Sequence, residues 1–465
     1  MKNIILVLLV FFTSISSYAQ DISGSWYGVA KIQGIELRLV LNINKTADGY
    51  SATMDSPDQG AKGIPVNNIS FKDSVLKISI NNINLDYEGK LNTLTHFIGN
   101  VKQGSMTFPL ILTKEKIERL RPQEPIQPYP YYSEDLTFEN KNAGITLAGT
   151  LTLPKKEGKF PAVILISGSG PQNRNSEILG HKPFLVISDY LTKNGIAVLR
   201  FDDRGTGKSK GNFYKATSVD FASDVESAVN YLLTRDEIIK SKIGLIGHSE
   251  GGLIAPMVAV NSKDVSFIVL LAGTGISGDQ LLLLQQVLMG RAMGASEENL
   301  QRNKKFFEGA FQIITNSVDK DTLKKELKVY AKKMAMESPS KETERPLGVT
   351  DEQINNMNLS SLLTPWMQYF LKYDPSKVLE KVKCPVLAIN GSKDLQVPPK
   401  ENLTAIKNAL AKGGNKQITI QEIPNLNHLF QECKTGSLSE YGTIEQTFSP
   451  IALTLILDWL KIQTK

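Results

Sequence analysis

The sequence is sparing with residue types that often carry chemistry. It holds four histidines, two cysteines and three tryptophans in 465 residues. Two cysteines allow one disulfide at most, and no zinc knuckle is present. Lysine and arginine number 53 against 47 aspartates and glutamates, and the excess of six is spread along the chain rather than gathered into a basic block. There is no RNP-like stretch or basic aromatic strip, so nucleic acid is not an expected partner. Beyond the N-terminus no apolar run is long enough to span a bilayer. What remains is the composition of a globular protein, 41% hydrophobic and 22% charged. That is enough apolar material for a large core, and at this length two or three domains are expected.

The first nineteen residues read as a signal peptide. Lys2 supplies a charged start, Ile4 to Phe12 form a short apolar run, and Ser17-Tyr18-Ala19 offers small residues at both cleavage positions. The expected cut lies between Ala19 and Gln20, with no cysteine after it to take a lipid. The mature chain is therefore expected to be exported, periplasmic or extracellular, with no membrane span.

Residues 20–118 read as an all-β domain. Ile35, Leu37, Leu39, Leu41 and Ile43 alternate with other positions at the period of a half-buried strand, and Leu76, Ile78 and Ile80 repeat the pattern. About eight short strands imply a small barrel or sandwich. "GSWYG" (24–28) resembles the opening of lipocalin-like barrels, with Trp26 read as a structural plug. "RPQEPIQPYPYY" (121–132) has four prolines and reads, over 119–132, as a semi-rigid linker.

From residue 133 to the end the pattern is α/β. Two alternating strands (136–140 and 145–154) precede continuous apolar runs at 162–168, 196–202, 243–248, 265–273, 385–391 and 417–423. Strands buried on both faces lose alternation, so these runs predict a mostly parallel sheet with helices on both sides. Residues from about 276 to 376 lack such a strand and read as a helical cap. This segment holds six of the ten methionines, at 289, 293, 334, 336, 357 and 367, which could line a pocket for an apolar group.

"IGLIGHSEGG" (243–252) places Ser249 between Gly247 and Gly251 where a buried strand gives way to a helix. Such a turn projects a serine above the carboxyl edge of the sheet, where open α/β sheets bind ligands. A serine hydroxyl needs an adjacent base. Of the four histidines, His96 is in the β domain, His181 starts a helix, and His248 is a strand neighbour expected to point away from the serine. His428, in the loop "PNLNHLF", remains. Asp394, just past the end of strand 385–391, can orient that imidazole. The backbone N–H groups of Glu250 and Ser169 are the expected oxyanion donors. "RFDDRGTGKSKG" (200–211) superficially suggests a phosphate loop, but Asp202 occupies the position that motif gives to glycine. Arg204 is instead expected to pair with Asp202 or Asp203.

With "SGSGPQNR", "HKPFLVISDYL", "FDDRGTGKS", "GHSEGG", "NGSKDLQVP" and "NHLFQ", the chain from about 133 onward resembles the α/β-hydrolase superfamily. Within it, the chain is similar to exported bacterial esterases related to the serine aminopeptidase S33 group. It departs from many of them by Ser167-Gly168 in place of His-Gly, and by Asn173 and Asn175 in "PQNRN". The resemblance implies hydrolysis of carboxylic esters of short to medium acyl groups, with a small-molecule substrate, no cofactor and no metal. An aminopeptidase or amidase of the S33 type is the alternative; a binding protein whose β domain carries the main role is another. The sequence names no substrate-binding residues and no oligomeric state. Cys384 precedes its strand and Cys433 follows the His428 loop, at opposite ends of the sheet, so no disulfide is expected.

Overall fold

Two sheets organise the chain. The structure, a computed structural model, describes residues 20–32, 35–59, 61–104, 106–117, 119–337 and 358–465. The signal-peptide reading of residues 1–19 lies outside the described residues, as does Met357.

The N-terminal sheet has nine strands: β1 (Gly24–Ile32), β2 (Ile35–Thr46), β3 (Gly49–Ser56), β4 (Ala61–Pro65), β5 (Asn68–Lys72), β6 (Val75–Ile80), β7 (Leu85–Thr93), β8 (His96–Gln103) and β9 (Met106–Thr113). Their order is β4-β3-β2-β1-β9-β8-β7-β6-β5, with every pairing antiparallel. Period-two alternation puts one side of each strand inside. Met54 of β3 and Leu76 of β6, far apart in strand order, belong to the same buried cluster as Trp26, Ile43 and Phe97. One sheet curled around a filled interior therefore forms where a barrel or a two-sheet sandwich was expected. Trp26 is its plug: 1% exposed, its ring centroid 4.6 Å from that of Phe97, its indole N–H donating to the Ile22 carbonyl at 2.7 Å.

The second sheet comprises β10 (Tyr132–Asn140), β11 (Ile145–Leu153), β12 (Phe160–Ile166), β13 (Ala197–Phe201), β14 (Ile238–His248), β15 (Val265–Leu271), β16 (Val386–Gly391) and β17 (Ile418–Ile423), in the order β10-β11-β13-β12-β14-β15-β16-β17. It is a mixed sheet. β10–β11 and β11–β13 pair antiparallel, and the six strands from β13 to β17 run parallel. Alternation sorts their side chains between two cores. Ala162, Ile164 and Ile166 of β12 enter one, and Val163 and Leu165 the other. Ile243 and Leu245 of β14 likewise face opposite to Ile246.

Helices α1 (Pro183–Lys193), α2 (Ser218–Leu233) and α3 (Gly251–Asn261) cover the early strands. α2 and α3 pack on the first core through Val225, Leu232, Ile254 and Val258, whereas α1 packs on the second through Phe184, Ile187 and Leu191. Truncating one of these fully buried side chains to alanine costs about 2–5 kcal/mol by loss of transfer energy and creation of a cavity. Between β15 and β16 come α4 (Gly278–Ala292), α5 (Glu297–Asn316), α6 (Lys320–Glu337), α7 (Pro365–Lys372) and α8 (Ser376–Leu379). Where it is described, the capping segment is largely helical, as its composition implies. α9 (Pro399–Lys412), α10 (Leu438–Tyr441) and α11 (Pro450–Gln463) complete the chain. Strand order reverses between β12 and β14, which opens a crevice at their carboxyl ends.

Residues 119–124, read from sequence as the start of a linker, are bonded to the second sheet's loops. The Gln123 side chain accepts from the Thr447 and Phe448 amides at 2.7 and 3.0 Å and donates to the Phe448 carbonyl at 2.7 Å. Proline fixes φ but leaves neighbouring side chains free to dock, which composition alone does not reveal.

Candidate active site

The turn after β14 places Ser249 at φ 54°, in the left-handed region that a serine seldom adopts. Its own amide donates to the Leu271 carbonyl of β15 at 2.9 Å, and its carbonyl accepts from the Gly252 amide at 2.9 Å. The flanking glycines are required by packing. A Cβ on Gly247 would collide with the Gly251 carbonyl, and one on Gly251 with the Ile166 carbonyl of β12.

Asp394 follows the end of β16. It is 2% exposed, and its Oδ1 accepts from the Gln396 and Val397 amides at 2.8 and 2.9 Å. Its Oδ2 lies 2.8 Å from His428 Nδ1. Because a carboxylate oxygen accepts, His428 carries a proton on Nδ1 and turns Nε2 toward other partners. His428 is 5% exposed and sits in a tight loop. The Asn427 side chain accepts from the Leu429 and Gln431 amides, each at 3.0 Å.

Ser249 and His428 line one cavity of about 210 Å³, together with Ser169 and Glu250. The position of a Gly168 Cβ would be 3.1 Å from Ser249 Cβ, so the loop after β12 passes directly over the serine. Neither the Ser169 nor the Glu250 amide is engaged in the backbone hydrogen bonds of these turns among the described residues. Four of the five sequence-predicted residues thus line one cavity, and the fifth, Asp394, stands behind His428. Leu281, Leu282 and Gln285 of α4 and Trp366 and Phe370 of α7 roof the cavity. Among the described residues no methionine lines the cavity: leucine and aromatic rings do that work. Met334 packs inside the cap core, and Met293 and Met336 are exposed.

Three features escape a sequence reading. His248 does not point away from the site. It lines the cavity, its ring centroid 4.7 Å from that of His428, and donates from Nε2 to the His428 carbonyl at 2.8 Å. Burial chiefly, with the nearby His428, pushes its pKa down to about 3. His248 keeps the alternation of β14, on the side of Ile246 and Phe430, and the His428 loop folds over that side. Second, the Glu250 carboxyl is buried. Its Oε1 accepts from Ser218 Oγ at 2.6 Å and from the Trp366 indole N–H at 2.7 Å, and burial raises its pKa. Third, Asp203 ties down the loop after β12, accepting from Ser167 Oγ at 2.6 Å and the Gln172 amide at 2.8 Å. Burial pushes its pKa up to about 8 against those two donors.

The expected pairing of Arg204 is also corrected. Arg204 Nε donates to Asp224 Oδ2 at 2.7 Å, on α2. Asp202 instead pairs with Arg174, Nη2 to Oδ2 at 2.8 Å. The guanidinium reaches past its neighbours because Asp202 and Asp203 turn toward the loop over the serine. Cys384 and Cys433 are free thiols, and burial pushes Cys384 up to about 11. Among the described residues no cluster of metal-ligating side chains occurs and no helix is long and apolar enough to cross a membrane.

A family model described as X-Pro dipeptidyl-peptidase (S15 family) matches residues 143–423, more than half of the chain. The chain belongs to the S15 peptidase family. This S15-family protein is similar to Esterase EstD of Thermotoga maritima, 26% identical over 306 residues that cover 64% of this chain and 62% of the relative. It thus spans a little under two thirds of that relative's length. An uncharacterized 31.7 kDa protein of the traX-finO intergenic region of Escherichia coli is 26% identical over 286 residues, covering 60% of this chain and 87% of its own. Among solved structures, the Pyrococcus furiosus esterase Pf2001 aligns at 17% identity and a TM-score of 0.43, over 75% of this chain and all of the other. The family match and the likeness to Esterase EstD agree with the α/β-hydrolase superfamily read from the sequence.

Proposed function

We propose that this S15-family chain is an exported serine hydrolase that cleaves carboxylic esters of short to medium acyl groups. The observation that carries the reading is one cavity lined by Ser249 and by His428, whose Nδ1 bonds to Asp394. Ser249 Oγ attacks the ester carbonyl while His428 Nε2 takes its proton. Asp394 holds the tautomer and the charge of the imidazolium. The Ser169 and Glu250 amides receive the oxyanion, and the proton passes from His428 to the leaving alcohol. Water, activated by His428, then releases the acyl group. No step calls for a cofactor. A cavity of about 210 Å³ walled by Leu281, Leu282, Trp366 and Phe370 suits a small apolar acyl or alcohol group. The likeness to an esterase supports the ester bond, and the signal-peptide pattern of residues 1–19 supports export. The lipocalin-like kinship of the N-terminal sheet belongs to the same reading.

One observation favours a second reading. Glu250 is a buried carboxyl on the cavity wall whose neighbours are hydroxyl and indole donors, not cations. A substrate with a free amine could supply the positive charge, and the family is described as a dipeptidyl-peptidase. One preparation assayed on p-nitrophenyl esters of graded acyl length and on aminoacyl and X-Pro amides separates the two. Ester kcat/KM at least about a hundredfold above that of every amide is expected; the reverse ranking overturns the ester reading. Ser249→Ala should abolish turnover and labelling by a fluorophosphonate probe, and retained turnover would refute the nucleophile.

A further inference from the structure

The N-terminal sheet has no role in the chemistry above, yet it and the segment that follows it reach two loops beside the one that carries His428. Arg121 is the point of contact. Its guanidinium donates to four carbonyls in two separate loops of the second sheet: Leu179 at 3.2 Å, Gly180 at 3.1 Å, Gly442 at 2.9 Å and Ile444 at 3.0 Å. Arg119 adds a bond to the Gly442 carbonyl at 2.7 Å and pairs with Glu36 of β2 at 3.0 Å. Behind them Arg38 of β2 and the fully buried Asp58 form a pair at 2.7 Å. That pair presses on the same loop, because a Cβ on Gly180 would be 2.7 Å from Arg38 Nη2 and 3.0 Å from Asp58 Oδ1. Gly180 also has φ +77°, so only glycine fits this seat without strain.

The two clamped loops are joined one residue further in. His181, 0% exposed, donates from Nε2 to the Tyr441 carbonyl at 2.8 Å and accepts at Nδ1 from Thr447 Oγ1 at 3.0 Å. Beside it, Gln431 Nε2 donates to the Gln446 carbonyl at 3.0 Å, one residue before Thr447. Gln431 in turn closes the loop around His428, accepting from the Asn427 side-chain amide at 2.9 Å. The path from Arg121 to the His428 loop thus runs through the 442–447 segment to Gln431 and Asn427, by hydrogen bonds joined through short stretches of chain. A half-buried guanidinium that serves four carbonyls is costly to lose, because the Leu179, Gly180 and Ile444 carbonyls lose this donor and Gly442 keeps only Arg119.

We propose that Arg121, backed by the Arg38–Asp58 pair of the N-terminal sheet, is a positioning residue that fixes the His428 loop for catalysis. The N-terminal sheet is then part of the catalytic unit, not a separate binding module. This inference rests on His428 being the base.

The test uses the full chain. Arg121→Ala is compared with wild type at a temperature where circular dichroism shows both folded. kcat for p-nitrophenyl acetate and the rate of fluorophosphonate labelling should each fall about tenfold or more, with KM within about twofold. Small displacements of a catalytic group can cost that much. Guanidinium chloride at non-denaturing concentration should restore part of the loss in Arg121→Ala and none in Ser249→Ala. If Arg121→Ala does not fold, Arg121→Lys decides. One ammonium cannot serve four carbonyls in two loops, so kcat should fall several-fold at constant KM. A folded variant with wild-type kcat and labelling rate overturns the brace. If Ser249→Ala stays active, the reading of the site fails instead, which keeps the two failures apart.

Discussion

His248 Nε2 donates to the main-chain carbonyl of His428 at 2.8 Å, so the residue before the proposed nucleophile props the loop of the proposed base. The carbonyl can only accept, which fixes the proton on Nε2. The ring is neutral in the folded protein, its pKa pushed from 6.5 to about 3.

This depression makes the fold acid-sensitive. The unfolded chain takes up a proton on this imidazole as pH falls through 6.5, whereas the folded chain resists until about 3. The stabilisation is complete above about pH 6.5 and is lost on the way down, at up to about 1.4 kcal/mol per pH unit for one such site. His181, pushed down to about 4 by burial and by Arg121, acts in the same direction. Urea unfolding between pH 7 and 4 measures this. His248→Gln keeps an N–H donor but takes up no proton, so its slope should be shallower. A slope equal to wild type removes His248 from the account.

Ser249 is strained where it stands. Its φ of 54° costs about 1 kcal/mol or more, which glycine does not incur. Ser249→Gly should therefore be inactive yet as stable as Ser249→Ala or more so, measured by thermal unfolding. Gly251→Ala is the opposite case. Its methyl group would collide with the Ile166 carbonyl, and a loss of several kcal/mol or failure to fold is expected. A Gly251→Ala protein with wild-type stability would show that the turn can relax.

Trp366 joins the cap to the turn through its bond to Glu250 at 2.7 Å. Trp366→Phe removes the N–H donor and keeps most of the apolar wall. KM should rise about three- to tenfold for butyrate and longer esters, with a smaller change for acetate, since the roof is less firmly held. Equal effects across the acyl series would place Trp366 outside the acyl subsite.

Arg204 and Asp224 form a buried ion pair, with Nε–Oδ2 at 2.7 Å and side chains 8% and 3% exposed. Removing one partner leaves a buried charge uncompensated, so Arg204→Met should cost about 3–5 kcal/mol in urea unfolding. Replacing both, as Arg204→Met with Asp224→Leu, should recover part of that. No recovery in the double variant would mean that the bond from Asn140 to Asp224, at 2.7 Å, matters more than the charge.

The order of β-strands and helices was legible because burial on two faces leaves uninterrupted apolar runs, as in "AVILISG", and burial on one face leaves alternation, as in residues 35–43. Ser249, Asp394 and His428 were legible for a related reason. Strand ends mark the carboxyl edge of a sheet, and four histidines leave few choices. Strand ends are local features, so the residues that share that edge can be read from the chain. What surrounds them depends on how distant segments pack. His248 turned into the cavity, Arg204 passed over two nearer aspartates to reach Asp224, and a proline-rich stretch docked through Arg119, Arg121 and Gln123. Each outcome depends on which carbonyl or carboxylate folding brings within 3 Å of a long or end-of-strand side chain. Periodicity carries no information about that distance, because the partners lie tens to hundreds of residues away along the chain.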